Sequence, residues 1–293
     1  MTEPMRVAIS DGRSLDVWLA GPPDATALLF HCGTPGSGLP RDAFVDLLAE
    51  RGLRYVSFSR PGYGSSTRRP GRNVVDVVDV TATVLDAAGA ERAYLLGWSG
   101  GGPHALACAA AMPDRVLGTA IIAGVAPYPA NGLNWLDGMG AENIEEFNAA
   151  LEGPEALIGF KERALPVYQA ITGEQVADAL GDLVDDVDRG SIRGELAEWM
   201  AAIMREGLRE GYWGWYDDDM AFTRPWGFDL EGIRGPVHIW QGAHDRMVPF
   251  AHGEWLAGHC GGACRHLYAE HGHITLLTDA MPAILDELLR SAE

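Results

Sequence analysis

Cysteine is scarce in this chain: Cys32, Cys108, Cys260 and Cys264 are the four in 293 residues. So few, so irregularly spaced, exclude a disulfide framework. Cys260 and Cys264 frame a CGGAC stretch, but two cysteines alone make a poor zinc site, and isolated thiols are expected. Positive charge is also short: 22 Lys and Arg against 41 Asp and Glu leave a formal charge of −19. Nucleic-acid binding depends on cationic side chains neutralising phosphates, so no such partner is expected, and an anionic membrane is disfavoured for the same reason. No uncharged apolar run approaches the roughly 18 residues of a transmembrane helix. The first residues, MTEPMRVAISDG, lack a basic start followed by an apolar segment, so they do not read as a secretory leader and a cytoplasmic location is expected. The acid excess serves solubility; the sharper reading is a preference for cationic substrates.

Against these absences stand 47% hydrophobic residues and 37 glycines, enough for a large core and many tight turns. Arg6–Ser10 and Leu15–Ala20 read as strands joined by a turn at Asp11-Gly12. Ala27–Phe30 is a short continuous apolar run, as in a buried strand. Helix and strand then alternate: a helix over Ala43–Arg51, a strand at Tyr55–Phe58, a helix over Val74–Ala88, a strand at Ala93–Leu96, a helix over Gly102–Met112 and a strand at Val116–Ala123. Such alternation implies right-handed crossovers and a mostly parallel sheet. From about 126 to 226 the β-branched runs vanish and helices rich in Trp, Tyr and Met take over, Asn143–Leu151 and Ile192–Gly207 among them. Strands return at Pro236–Trp240 and Cys264–Tyr268, with helices at Gly253–His259 and Met281–Ser291. The expected organisation is an α/β core over 1–125 and 227–293 with a helical cap inserted at 126–226.

The strongest motif is Gly97-Trp98-Ser99-Gly100-Gly101, set between an apolar strand and an Ala-rich helix. This G-x-S-x-G context lifts a serine hydroxyl above the sheet on a sharp turn, beside the N–H groups of a helix start. His104, five residues on, is carried away by the helix and reads as a buried histidine.

A serine hydroxyl needs a base to take its proton. In one known chain order the acid follows the serine and the histidine comes last. Asp245 leaves the strand ending in Trp240, and His273 follows the strand ending in Tyr268. Both therefore leave strand carboxyl ends on the same edge as Ser99, where function gathers in parallel sheets. His271 competes with His273, but Gly272-His273 ahead of the apolar Ile274, Leu276 and Leu277 favours the latter. Asp245 competes with Glu254 and Glu270, which lack its strand–GxxD setting.

These stretches together resemble the α/β-hydrolase superfamily: HCGTPGS at 31–37, RPGYGSS at 60–66, GWSGG at 97–101, GAHD at 242–245 and HGH at 271–273. The resemblance implies a serine hydrolase with Ser99 as nucleophile, His273 as base and Asp245 orienting it. It implies an oxyanion hole from the backbone N–H groups of Thr34 and Gly100, and no cofactor or metal. Cys32 stands where the family's loop usually carries histidine, and His31 lies one residue earlier. Trp98 and Cys32 are the candidate substrate contacts. Arg60 reads equally as a surface ion-pair partner or a substrate contact. Serine at the elbow, where dehalogenases and epoxide hydrolases put aspartate, implies acyl-enzyme chemistry.

The insertion's aromatic residues, Trp135, Trp199, Trp213, Trp215 and Trp226 among them, are expected chiefly to glue helices together. Asp217-Asp218-Asp219 reads as a solvated acidic turn; the sharper idea is a carboxylate holding a substrate's amine, as in capped prolyl aminopeptidases of this superfamily. The expected activity is hydrolysis of a small-molecule carboxylic ester, lactone or thioester by a monomer or homodimer. A prolyl-type aminopeptidase, or a non-hydrolytic receptor or lyase on the same fold, is the alternative.

Overall fold

The computed structural model describes residues 3–291; the outermost residues of the expected core, 1–2 and 292–293, lie outside the described part. One sheet organises the chain. Its strands are β1 (Met5–Ala8), β2 (Ser14–Ala20), β3 (Thr26–His31), β4 (Leu53–Phe58), β5 (Ala93–Trp98), β6 (Val116–Ile122), β7 (Val237–Gly242) and β8 (Cys264–Tyr268), in the order β1-β2-β4-β3-β5-β6-β7-β8. β2 is antiparallel to both neighbours, and every later pairing is parallel. This is the α/β-hydrolase fold.

The inner parallel strands β3, β5 and β6 are buried on both faces, which is why they read as continuous apolar runs, whereas β8 at the sheet edge has no buried residue. Alternate side chains feed two cores. Leu28, Phe30, Leu96, Ile122 and Trp240 face one layer, while Leu29, Leu95, Ile121 and Ile239 face the other. The helices that cover the sheet are α1 (Asp42–Ala49), α2 (Val77–Ala87), α3 (Gly102–Ala111), α10 (Phe250–His259), α11 (His273–Thr278) and α12 (Met281–Arg290). The stretch from Val74 opens with a 3-10 turn over Val74–Asp76, held by a reciprocal bond between Asn73 and Asp76, before α2 begins.

Between β6 and β7 the described elements are helical: α4 (Ala141–Glu152), α5 (Pro154–Ala170), α6 (Gly173–Ala179), α7 (Asp186–Arg189), α8 (Gly194–Leu208) and α9 (Trp213–Phe222). Trp199 and Trp215 pack in the larger core with Phe160 and Tyr168. The sequence Asp217-Asp218-Asp219 is not a solvated turn. It lies inside α9, and its three residues are 2%, 0% and 1% exposed. Register brings the carboxyl ends of β3, β5, β6 and β7 level, since His31 pairs with Gly97, Trp98 with Ile122, and Ile122 with Trp240.

Candidate active site

Ser99 stands immediately after β5, and its φ of 56° lies in the left-handed region. A residue with a β-carbon there stores about 1–3 kcal/mol of strain, which functional sites commonly hold. The turn is possible because Gly101 lies against β3: a β-carbon there would overlap the His31 carbonyl. Ser99, His273, Thr34, Gly100 and Trp98 all line one cavity between the sheet edge and the helical segment. Phe147, Leu183, Met200, Ile203 and Phe222 give most of its remaining wall an apolar character.

His273 begins α11 and is 1% exposed. Its Nδ1 lies 2.8 Å from Asp245 Oδ2. A carboxylate only accepts, so Nδ1 carries the proton and Nε2 is left with a lone pair. Asp245 is fixed in turn: Gln241 Nε2 donates to Oδ2 at 2.9 Å, and the Met247 and Val248 N–H groups donate to Oδ1 at 2.9 and 2.8 Å. Burial alone would push the His273 imidazole toward its neutral form. The Asp245 charge and hydrogen bond, with the Asp188 charge, outweigh it and raise its pKa above the ordinary range. The Trp98 ring lies 5.5 Å from the imidazole and 6.1 Å from Trp199, closing the cavity on that side. Ser99 makes no hydrogen bond to the imidazole among the described residues; such bonds are often long until substrate binds.

On the other side of Ser99 the loop after β3 is gripped from beneath. Arg60, 2% exposed, donates to the carbonyls of Cys32 and Gly33, the latter at 3.2 Å, and to Thr34 Oγ1 at 3.0 Å. Because a peptide is planar and trans, holding the Gly33 oxygen sets the Thr34 N–H on the opposite side. Asp218 anchors the arrangement: Arg60, Arg72, Tyr63 and Thr34 Oγ1 all donate to its carboxylate, at 2.6, 2.6, 2.8 and 2.7 Å. Burial would raise its pKa, yet the two guanidinium charges hold it well below the carboxylate range. Gly100 sits against Thr34, and as the second residue of a short helical turn its N–H has no partner within it.

Of the other residues the sequence singles out, Cys32 and Arg60 stand elsewhere, whereas His104 is buried and the cysteines are isolated thiols as expected. Cys32 is not part of the cavity lining. Its buried thiol packs by Gly36, and burial pushes its pKa up to about 12, so it is neither a substrate contact nor a reactive thiolate. Arg60 is not at the surface. His104 lies 3.4 Å from Asp218, and burial, the largest influence on it, lowers its pKa to about 4. The four cysteines are free. Glu146, Asp219 and Lys161, the chain's single lysine, form a buried ionic group, with the two acids at the cavity wall. The lysine also sits 3.5 Å above the Trp215 ring. Burial and the neighbouring Glu146 charge hold the Asp219 carboxyl well above its ordinary pKa. Asp188, Glu146 and Lys161 carry no sequence signal, and the acidic run that holds Asp218 and Asp219 does not reveal their burial, because their partners lie far away along the chain. Among the described residues no group of three or more His, Cys, Asp or Glu side chains is gathered to ligate a metal, and no helix is long and apolar enough to cross a membrane.

Comparison with known proteins adds four findings. A family model described as alpha/beta hydrolase fold matches residues 26–150. The chain is 27% identical to a non-heme chloroperoxidase of Streptomyces lividans, covering 84% of this chain and 83% of the relative. It is 27% identical to a bifunctional esterase/perhydrolase of Acinetobacter calcoaceticus over 78% of each. Among solved structures, an esterase from Exiguobacterium antarcticum superposes with a TM-score of 0.69 at 18% identity, covering 99% of this chain and all of that one.

Proposed function

Since this chain is by fold a member of the α/β-hydrolase superfamily, we propose that it is a serine hydrolase cleaving small-molecule carboxylic esters, lactones or thioesters through an acyl-enzyme. The observation that carries the reading is the Asp245–His273 hydrogen bond at 2.8 Å beside a strained Ser99 on the same cavity wall. His273 Nε2 takes the proton of Ser99 Oγ as that oxygen attacks the carbonyl carbon. The N–H groups of Thr34 and Gly100 receive the oxyanion, each such donor being worth about 3–4 kcal/mol in the transition state. His273 gives its proton to the leaving alkoxide, the acyl group stays on Ser99, and water activated by the same imidazole releases it. The apolar wall suits a hydrocarbon acyl group, and Trp98 is its flat contact next to the base. Such chemistry needs no cofactor, and the expected setting is cytoplasmic.

A second reading, amide cleavage next to a free amine, is favoured by one observation: two acidic side chains, Glu146 and Asp219, line the cavity wall and share one buried lysine, Lys161. The test is a panel of p-nitrophenyl esters of rising chain length set beside a prolyl anilide, with fluorophosphonate labelling. The expected outcome is ester turnover, labelling at Ser99, and a loss of at least about 10³-fold in Ser99→Ala. Turnover of the anilide alone would establish the second reading, and full activity in pure Ser99→Ala would overturn both.

A further inference from the structure

We propose that Asp188 is a positioning residue for the proposed base: a carboxylate supplied by the helical segment fixes the main chain from which His273 projects. The inference rests on the serine-hydrolase reading above.

α11 starts at His273, and the residue before it, Gly272, has no side chain with which to cap the helix. The first N–H groups of any helix lack partners within it. Here Asp188 supplies them from 85 residues away in sequence. The His273 N–H donates to Oδ2 at 2.6 Å, the Thr275 N–H to Oδ1 at 2.9 Å, and the Thr275 hydroxyl to Oδ1 at 3.0 Å. That hydroxyl accepts from the Gly272 N–H at 2.7 Å, closing the cage. Asp188 is fully buried, and a β-carbon on Gly272 would overlap its carboxylate. Burying a charge is costly unless it is hydrogen-bonded. The donors that satisfy this one are concentrated on two residues, one of them the base.

The element that carries Asp188 is itself held. Asp185 caps α7 by accepting from the Val187 N–H at 2.9 Å, and its other oxygen lies 2.6 Å from His244 Nδ1, next to Asp245 in sequence. One four-residue helix therefore touches both the loop of the base and the loop of its acid. The charges acting on the His273 ring are Asp245, from the loop after β7, and Asp188, from α7. Trp98 faces the ring from the end of β5 and brings no charge. His244 is engaged with Asp185, His252 sits behind Asp245 with its pKa lowered to about 4, chiefly by burial, and the Glu146, Lys161 and Asp219 group lies on another part of the cavity wall.

The sign follows. The negative charge of Asp188 favours imidazolium, so removing it eases deprotonation of His273 and moves the rising limb of kcat/KM to lower pH. Misplacing the ring slows the chemical step without weakening ester binding. In Asp188→Asn and Asp188→Ala, kcat on a p-nitrophenyl ester is expected to fall about tenfold or more. KM should stay within about threefold. The midpoint of the pH profile should drop by about half a unit or more. Titration of the His273 ring by 15N NMR, identified by comparison with His273→Gln, should drop likewise. A folded variant with unaltered midpoint and ring titration overturns the proposal, whatever its kcat. If neither variant folds, Thr275→Ser and Thr275→Val replace them: serine should retain kcat and valine lose it, and equal activities would overturn the proposal. Absence of Ser99-dependent turnover in the wild type sinks the hydrolase reading instead, and the ring titration, which needs no turnover, still decides the role of Asp188.

Discussion

At His273 the pull of burial and the pull of two carboxylates oppose each other, and the carboxylates win. The functional consequence has a definite direction. In the proposed mechanism His273 is the base and must be unprotonated, so the proposed ester hydrolysis should fall as the medium is acidified through the raised pKa. The half-point of kcat/KM is expected above the ordinary imidazole value of 6.5. A profile of kcat/KM from pH 4 to 10 checks this, and a midpoint below the ordinary value would contradict it. Asp245→Asn should slow kcat by about 10³–10⁴-fold, because an amide in that place no longer selects the tautomer with a free Nε2. Ser99 shows the complementary arrangement, a residue kept in strain by glycine neighbours so that its hydroxyl stands clear of the sheet.

At the scale of elements, the loop after β3 and helix α9 are one unit, since Asp218 on α9 accepts from Arg60, Arg72, Tyr63 and Thr34 at once. Asp218→Asn would leave two buried guanidinium groups without their counter-charge. Breaking a buried pair on one side costs about 3–5 kcal/mol, so Tm should drop by roughly 10 °C. Thermal unfolding measures the drop, and an unchanged Tm would show that the clamp contributes nothing to stability. The elements differ in how readable they were in the sequence. β3, β5, β6 and α3 were legible because a buried strand needs a short apolar run and a strand-to-helix turn needs glycine, both local demands. Ser99, Asp245 and His273 followed from them, since each leaves a strand at one edge. The sequence alone points to a solvated turn at Asp217-Asp218-Asp219, because acids ordinarily seek water. Their burial depends on Arg68, Arg60, Arg72 and Lys161, which the fold delivers from other elements. Arg60 was ambiguous for the same reason, and Asp188 offered no pattern, because Gly272 announces a missing cap but not who supplies it.

At the scale of the molecule, a formal net charge of −19 favours the approach of cations over anions at low ionic strength. A cationic ester should show a higher kcat/KM than its anionic isostere at low ionic strength. The ratio should shrink as salt rises past about 0.1 M, where the Debye length is about 10 Å. Stopped-flow progress curves over a salt series measure this, and a ratio indifferent to salt would exclude steering. The helical segment does more than roof the cavity. Asp218 grips the backbone on one flank of Ser99, and Asp188 grips it on the other. Both halves of the proposed reaction centre thus hang from a single stretch of chain. Exchanging that stretch for its counterpart in another enzyme would remove scaffolding along with pocket. A graft made to alter selectivity would forfeit rate first, unless both aspartates and the groups they hold travelled with it.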